Sequence, residues 1–310
     1  MPSTQAVTVI IPHYGDPVPT GELARALLND RGHHCARVLI VDDASPHPAL
    51  DPEPGNPDVS VLRRETNGGF GAAVNTGLRA TTTDLALVLN SDAYLSGTQI
   101  DDLVEVATPF QPAVAGPAVV GPDGTSQWSA RTFPTIAAQV IEWLTPLARF
   151  RQRRWWHRAV NHDVHAAAAT EAVAVDWVTG VAMLLPVAEV MAVGGFDESF
   201  FMNSEETDLQ YRLRERGVAR LYVPSVRVVH EGGASSDPGL RRSWLVASRY
   251  RYAEKHGHPR ALSFALTAAS LVNAGVNVAR QLAGRDVNAR EVLAYELSLL
   301  RARPPRVDHD

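Results

Sequence analysis

The sequence predicts an α/β fold with a mostly parallel sheet flanked by helices, and three observations carry that prediction. Apolar runs of strand length, VTVII at 7–11, VLIV at 38–41 and LALVL at 85–89, are each bounded by turn residues. Helix-like segments separate them, the alternation that covers both faces of a parallel sheet. Polar residues follow each run directly: His13 and Tyr14, then Asp42 and Asp43, then Asn90, Ser91 and Asp92. Ligands in open α/β sheets bind outside the carboxyl ends of strands, so the three clusters predict one cleft.

Taken in order, the β-branched run at 7–11 is the first strand and 21–28 the first helix. The second strand, 38–41, ends in Asp42, Asp43, Ala44 and Ser45. Residues 46–57, rich in Pro, Asp and Gly, form a loop before a strand at 59–62. A helix over 71–80 precedes the wholly apolar strand at 85–89, and 226–230 (VRVVH) alternates as a half-buried strand. There is no internal repeat. No G-x-G-x-x-G follows the first strand and no G-x-x-x-x-G-K-[ST] occurs, which argues against a dinucleotide fingerprint and a P-loop.

The 310 residues, 45% hydrophobic and 20% charged, suit one large or two modest globular domains and exclude low-complexity and collagen-like chains. The net charge of -5 does not advertise nucleic acid. A single cysteine, Cys35, excludes a disulfide scaffold and fits a reducing compartment. The stretch MPSTQAVTVIIPHYG lacks the basic start and long apolar core of a signal peptide, so a cytoplasmic location is expected.

Two segments complicate a purely soluble reading. Residues 261–279 carry no charge and are bracketed by Arg260 and Arg280. Ser263, Thr267, Ser270, Asn273, Asn277 and Gln281 recur at steps of three and four, opposite Leu262, Leu266, Leu271, Val272 and Val276. This amphipathic pattern predicts a helix lying on a surface, of the domain or of a membrane, rather than crossing a bilayer. Residues 143–158 hold five arginines, three tryptophans and a phenylalanine, readable as a partly packed surface helix or as a basic aromatic patch. Arg241, Arg242, Arg249 and Arg251 add a basic stretch, either a solvated helix face or a phosphate contact.

Three places carry candidate chemistry. Asp92, after an apolar strand, is either a turn residue or a ligand for a hard cation such as Mg²⁺, which characteristically uses one or two carboxylates plus substrate phosphates. Glu205, Glu206 and Asp208 put three carboxylates within four positions. They either complement a helix N-terminus or provide a general base poised in a partly apolar cleft. His230, ending a strand before Glu-Gly-Gly, is a turn residue or a metal ligand.

In chain order, the segments VTVIIPHYG, LIVDDAS, NGGFGAAVNTG, LALVLNSDA, WVTGVAMLLP, GGFDESFFMNSEETDLQYRL and LYVPSVRVVHEGG resemble the family 2 glycosyltransferases of GT-A fold, over about residues 7–235. The ordered set is specific, though no one segment is. GPAVVGPDGTSQWSARTFP and the N-x-D form of the metal motif are most similar to the rhamnosyltransferase-type branch, which includes enzymes acting on polyprenyl-diphosphate-linked acceptors. The resemblance implies that Pro12 and Tyr14 line a nucleobase pocket and that Asp43, with Asp42, accepts the base N3–H. Asn67, Gly69, Phe70, Asn75 and Ser91 would flank the nucleotide, and Asp92 and His230 would hold Mg²⁺ or Mn²⁺. Trp177, Thr179, Gly180 and Asp208 would border the donor and acceptor sugars. Glu206, preceded by Glu205, would stand at the family's catalytic aspartate.

Two positions depart from the family pattern. The common D-x-D is here Asn90-Ser91-Asp92, leaving one strong carboxylate, and the common Glu-Asp pair is Glu205-Glu206, which leaves the base between those two. What the resemblance implies is inverting, metal-dependent transfer from a nucleotide-diphospho-sugar to an acceptor hydroxyl on a lipid-linked or other cell-envelope glycan. The favoured donor is deoxythymidine-diphospho-L-rhamnose, with UDP-sugars next. A sugar nucleotidyltransferase and a non-catalytic sugar- or lipid-binding module are the alternatives. The first would show a Gly-rich basic loop after the first strand, and the second would lose the acidic cluster. The expected division is a catalytic domain over 1–240 and a helical extension over 241–310 for acceptor, membrane-surface or oligomer contacts. Peripheral contact with the cytoplasmic membrane face and a homodimer both remain open, and no nucleic-acid partner is expected.

Overall fold

The computed structural model describes residues 5–232 and 238–302, so Gly233, which ends the HEGG run, lies outside the described residues. In chain order the elements begin β1 (Val7–His13), α1 (Pro17–Asn29), β2 (Cys35–Asp42), β3 (Val59–Arg63), α2 (Phe70–Ala80), β4 (Leu85–Leu89), β5 (Ala93–Tyr94) and α3 (Gly97–Ala107). They continue β6 (Ala113–Val120), β7 (Ala130–Arg131), α4 (Ile136–Trp143), α5 (Arg154–Ala159), β8 (Val173–Ala174), β9 (Trp177–Val178), β10 (Ala182–Pro186), α6 (Val187–Ala192) and α7 (Glu205–Glu215). The last are β11 (Ala219–His230), α8 (Pro238–His256), α9 (Pro259–Leu282) and α10 (Ala289–Arg301).

The chain falls into two compact units. One takes the described residues up to Thr132 and from His165 to 232; the other takes Phe133–Val164 and the described residues from 238 onward. The helical unit therefore draws on 133–164 as well as on the C-terminal helices.

In the α/β unit a nine-stranded sheet runs β3-β2-β1-β4-β10-β6-β11-β5, with β8 also pairing β11. Strands β3, β2, β1 and β4 are parallel, as are β6 and β11, while β10 runs antiparallel between β4 and β6. Successive residues of β1 point to opposite faces, as strand geometry requires. Val7, Val9 and Ile11 pack with Leu23 and Leu27 of α1 and with Ile100 and Leu103 of α3. Ile10 packs on the other face with Val74 and Leu78 of α2 and Leu209 and Leu213 of α7. Local signals fix the helix starts. Asp16 accepts from Val18 N ahead of α1, and Ser96 with Gln99 forms a capping box ahead of α3.

The helical unit has its own core of Trp143, Val246, Ala253, Leu262, Leu266, Ala269 and Leu299. A polar network runs through it. Trp143 Nε1 donates to Ser270 Oγ (2.8 Å), and Thr145 N donates to Asn273 Oδ1 (3.0 Å). Asn273 Nδ2 donates to Trp143 O (3.0 Å) and Glu296 Oε1 (3.1 Å). Arg242 lies over the Trp143 ring and 3.7 Å from Glu296, and Arg249 pairs with Glu142.

Two expectations change here. The expected opposition of polar and apolar faces on α9 does not hold: Ser270 and Asn273, bonded to Trp143, Thr145 and Glu296, and Asn277 are buried on the same side as Leu262 and Leu266, while Leu271, Val272 and Gln281 are exposed. Residues 143–158 are not one surface helix. A 3-10 segment carrying Pro146 at its start separates α4 from α5, Trp143 and Trp156 are buried, and Trp155 is exposed.

Candidate active site

Pairing of β5 with β11 places the candidate metal ligands side by side. Ala93 stands opposite His230 in that antiparallel pair, so Asp92, one residue before β5, meets the strand end. His230 Nε2 lies 3.2 Å from Asp92 Oδ1. Gln127 fixes the ring from behind: its Nε2 donates to His230 O (2.7 Å), which turns its Oε1 toward His230 Nδ1 (2.7 Å). The hydrogen on Nδ1 is thereby committed to Gln127, and Nε2 is the nitrogen that faces the carboxylate. Burial pushes the Asp92 carboxyl up, but the hydrogen bond and charge of His230 and nearby backbone N–H groups outweigh it and hold it below its ordinary value.

This donor set fits a divalent cation that completes its shell from a substrate. Among the described residues no three His, Cys, Asp or Glu side chains group as a metal site. One carboxylate and one imidazole oriented by a further oxygen are present, and Mg²⁺ sites of this kind characteristically take their other oxygens from phosphates and water.

The second centre is the start of α7. Asn203 and Ser204 both take left-handed backbone conformations (φ 72° and 67°), the turn that aims this helix N-terminus. Glu205 is buried, 3% exposed, under α2, where a Cβ on Gly71 would meet its own Cβ at 3.6 Å. Glu206 is half-buried beside Gly180, whose absent side chain leaves Phe70 and Glu206 in reach of the backbone. The Oε2 of each glutamate is buried without a hydrogen-bond partner among the described residues. Burial, then the charge of Glu206, pushes Glu205 well above the ordinary glutamate value. Burial also raises Glu206, against backbone N–H groups of its own residue, Gly180 and Thr207 and the charge of Arg131. A carboxylate left unpaired in this way can take a proton.

One segment joins the two centres. Gln127 holds His230, Ser129 O accepts from Thr179 N (3.0 Å), and Arg131 pairs with Trp177 in the β7–β9 ladder while its charge acts on Glu206. Four residues of extended chain span at most about 14 Å, so the backbone positions tied to the two centres are neighbours along one short segment. The Arg131 guanidinium also lies 5.8 Å from the centre of the Trp177 ring. Buried Gln210 of α7 exchanges two hydrogen bonds with the backbone of Val178 (2.9 and 2.7 Å), fixing the helix against β9. Gln127, Arg131 and Gln210 were not legible as site residues from the sequence.

On the β1–β2 side, Tyr14, just past β1, is exposed, Pro12 near the end of β1 is half-buried, and Asn67 is exposed. Asp43 accepts from Gly68 N, Gly69 N (2.7 Å) and Arg64 Nε (2.7 Å). Gly69, at φ +86°, sits where any Cβ would fall 1.8 Å from Phe201 O, so this turn requires glycine and ties the loop to the α7 approach. Ser91 is half-buried between Asn90 and Asp92, and Asn90 N donates to Val181 O next to Gly180.

Three expected contacts change character. Asp42 is fully enclosed, its oxygens taken by Ser45 N, Ala49 N and Arg63 Nη1, so it holds the loop rather than presenting an acceptor to a base. Asn75 is buried and stitches α2 to the backbone of Phe196 and to Glu198. Asp208 is buried against Arg212 (2.8 Å), a helix support rather than a sugar contact. In each case a neighbouring backbone or cation claims the polar atoms before a ligand could.

The sequence and the fold match known proteins. The family model described as Glycosyl transferase family 2 matches residues 8–176. The N-acetylglucosaminyl-diphospho-decaprenol L-rhamnosyltransferase of Mycobacterium tuberculosis (strain ATCC 25618 / H37Rv) is 29% identical over 238 residues, 71% of this chain and 75% of that protein. Among solved structures, the mannosyltransferase PcManGT from Pyrobaculum calidifontis in complex with GDP-Man and Mn²⁺ superposes with a TM-score of 0.58 at 17% identity, covering 98% of this chain and 82% of that one. GalNAc-T7 with UDP, GalNAc and Mn²⁺ gives a TM-score of 0.55 at 15% identity over 82% of this chain, which spans 51% of that protein's length. At these identities the two structures establish the GT-A fold.

Proposed function

The chain belongs to glycosyl transferase family 2 and is a glycosyltransferase; on that premise we propose that it transfers L-rhamnose from deoxythymidine-diphospho-L-rhamnose, with inversion, to a hydroxyl of a polyprenyl-diphosphate-linked saccharide. UDP-sugars are the second choice of donor. The reading of donor and acceptor is supported by the mycobacterial rhamnosyltransferase relative. The observation that carries the chemistry is the buried Oε2 of Glu206 at the α7 N-terminus, without a hydrogen-bond partner among the described residues and linked to the His230 side through the 127–131 segment.

In this proposal Pro12, Tyr14 and Asp43, whose oxygens also hold Arg64, Gly68 and Gly69, shape the nucleobase pocket, with Asn67, Gly69, Phe70 and Ser91 along the nucleotide. Asp92 and His230, the latter oriented by Gln127, would hold Mg²⁺ or Mn²⁺, which would supply electrostatic neutralisation of the leaving diphosphate. Trp177, Thr179 and Gly180 border the sugars. Glu206 takes the proton of the acceptor hydroxyl as that oxygen attacks the anomeric carbon, and the bond from that carbon to the diphosphate oxygen breaks on the opposite side. Glu205 is the more deeply buried of the two, and its burial and the neighbouring charge of Glu206 favour its neutral form. Catalysis is assigned to 1–240, and 241–310, packed with 133–164, adapts the enzyme to its acceptor at the cytoplasmic side.

The test is transfer from deoxythymidine-diphospho-L-rhamnose to a polyprenyl-diphosphate-linked N-acetylglucosamine, with Mg²⁺, Mn²⁺ or EDTA. Metal-dependent rhamnosylated product is expected. Release of nucleotide from no nucleotide sugar under any divalent ion would sink the proposal.

A further inference from the structure

Helix α9 buries a mixed face, with Leu262, Leu266 and Ala269 beside polar residues, and leaves a second apolar face uncovered. It turns Ser270, Asn273 and Asn277 inward and leaves Phe264 (79% exposed), Leu271, Val272, Val278 and Leu282 (85% exposed) outside. At 100° per residue Phe264, Leu271, Val278 and Leu282 fall on one line down the helix, with only Ala268 and Gly275 between. The stripe runs about 27 Å at 1.5 Å per residue. An apolar strip of that length on a soluble surface marks an interaction site.

The charge around it chooses the occupant. Between Glu254 and Asp286 the chain has four Lys and Arg residues and no acidic one. Arg260 lies one turn before Phe264 on the same line, and Arg280 and Arg285 stand at the far end. Pairing α9 with a second copy, parallel or antiparallel, would set arginines against arginines with no carboxylate between them, which disfavours a dimer. An anionic headgroup layer answers both features, taking the apolar stripe into its acyl boundary and the arginines at its phosphates. Although α9 is long and apolar enough to cross a membrane, its hydrogen bonds to Trp143, Thr145 and Glu296 hold its inner face within the helical unit. The helix therefore lies along a bilayer rather than through it.

We propose that α9 docks the helical unit onto an anionic phospholipid surface, with Phe264, Leu271, Val278 and Leu282 inserted and Arg260 and Arg285 at the headgroups. The proposal goes beyond the catalytic reading and stands without it, since the binding test uses no nucleotide sugar.

The full chain is floated with phosphatidylcholine vesicles with and without phosphatidylglycerol. Binding to the anionic vesicles is expected, weakened by salt. The triple change Phe264→Ser, Leu271→Ser and Leu282→Ser, all at exposed positions, should weaken it by about tenfold or more. Independently, Phe264→Cys carrying an environment-sensitive fluorophore should shift to the blue on those vesicles; Cys35 is buried and does not compete for the label. No binding to anionic vesicles, equal binding by the triple variant, or an unmoved label would overturn the proposal. So would a lipid-free dimer that the triple change dissociates, which would assign the stripe to a second copy.

Discussion

Glu296 and Glu205 are almost equally hidden, at 1% and 3% exposure, yet their surroundings treat them oppositely. In the helical unit Glu296 is matched by Asn273 and faces Arg242, and that network ends on backbone and indole groups. In the α/β unit Glu205 and Glu206 each keep an oxygen without a partner and stand next to one another. Buried polar groups are ordinarily satisfied, so the first arrangement is architecture and the second stores a proton-accepting capacity. Burial alone does not distinguish a site from a support; two adjacent buried carboxylates that each keep an oxygen without a partner do.

The strongest way to break the comparison is to neutralise each carboxylate. Glu206→Gln should lower kcat/KM for transfer by about 10²–10⁴-fold, the usual contribution of a general base, measured with saturating donor. Next, Gln127→Ala, which frees the His230 ring, should weaken divalent-ion affinity by about 10–100-fold, read by metal titration of activity. In the helical unit, Asn273→Ala leaves Glu296 and Thr145 N without their partner and should cost about 2–3 kcal/mol in chemical denaturation while leaving Glu206 chemistry intact.

Glu205→Gln should act instead on the pH dependence of stability. A carboxyl raised on folding binds more protons folded than unfolded, so its stabilising contribution is full at low pH. That contribution is lost as pH rises from the ordinary glutamate range through the raised value. The amide removes that loss, so the stability of the variant should fall less than that of the parent as pH rises above the ordinary glutamate range, by thermal unfolding against pH. The smallest effect concerns Cys35, whose thiol burial pushes up to about 11; alkylation at pH 8 should be slow until denaturant is added.

Much of the sheet was legible because apolar runs bounded by turns have few other uses. The expected strand at 85–89 coincides with β4, and those at 7–11 and 38–41 lie inside β1 and β2. Asp92 and His230 could be paired on paper only through the family resemblance, since 138 positions separate them. Gln127 was invisible because a lone glutamine in a Gly/Ser loop has no period, and its partner is 103 residues away. Asp42, Asn75 and Asp208 show the converse: a motif position looks the same in sequence whether its polar atoms meet a ligand or a neighbouring backbone. The facing of α9 was hidden for a related reason. Leu262 and Leu266 share the buried side with Ser270 and Asn273, and Trp143, Thr145 and Glu296 supply the partners that let those polar residues lie inside.

The claim that Glu206 is the proton acceptor is tested most directly by the pH dependence of kcat/KM in the parent, Glu205→Gln and Glu206→Gln chains. Because Glu206 is raised above the ordinary glutamate value, activity should fall with decreasing pH from above that value, as the carboxylate takes a proton. Glu205→Gln should keep this acid limb, and the residual rate of Glu206→Gln should lack it. An unchanged acid limb and undiminished transfer in Glu206→Gln would contradict the account.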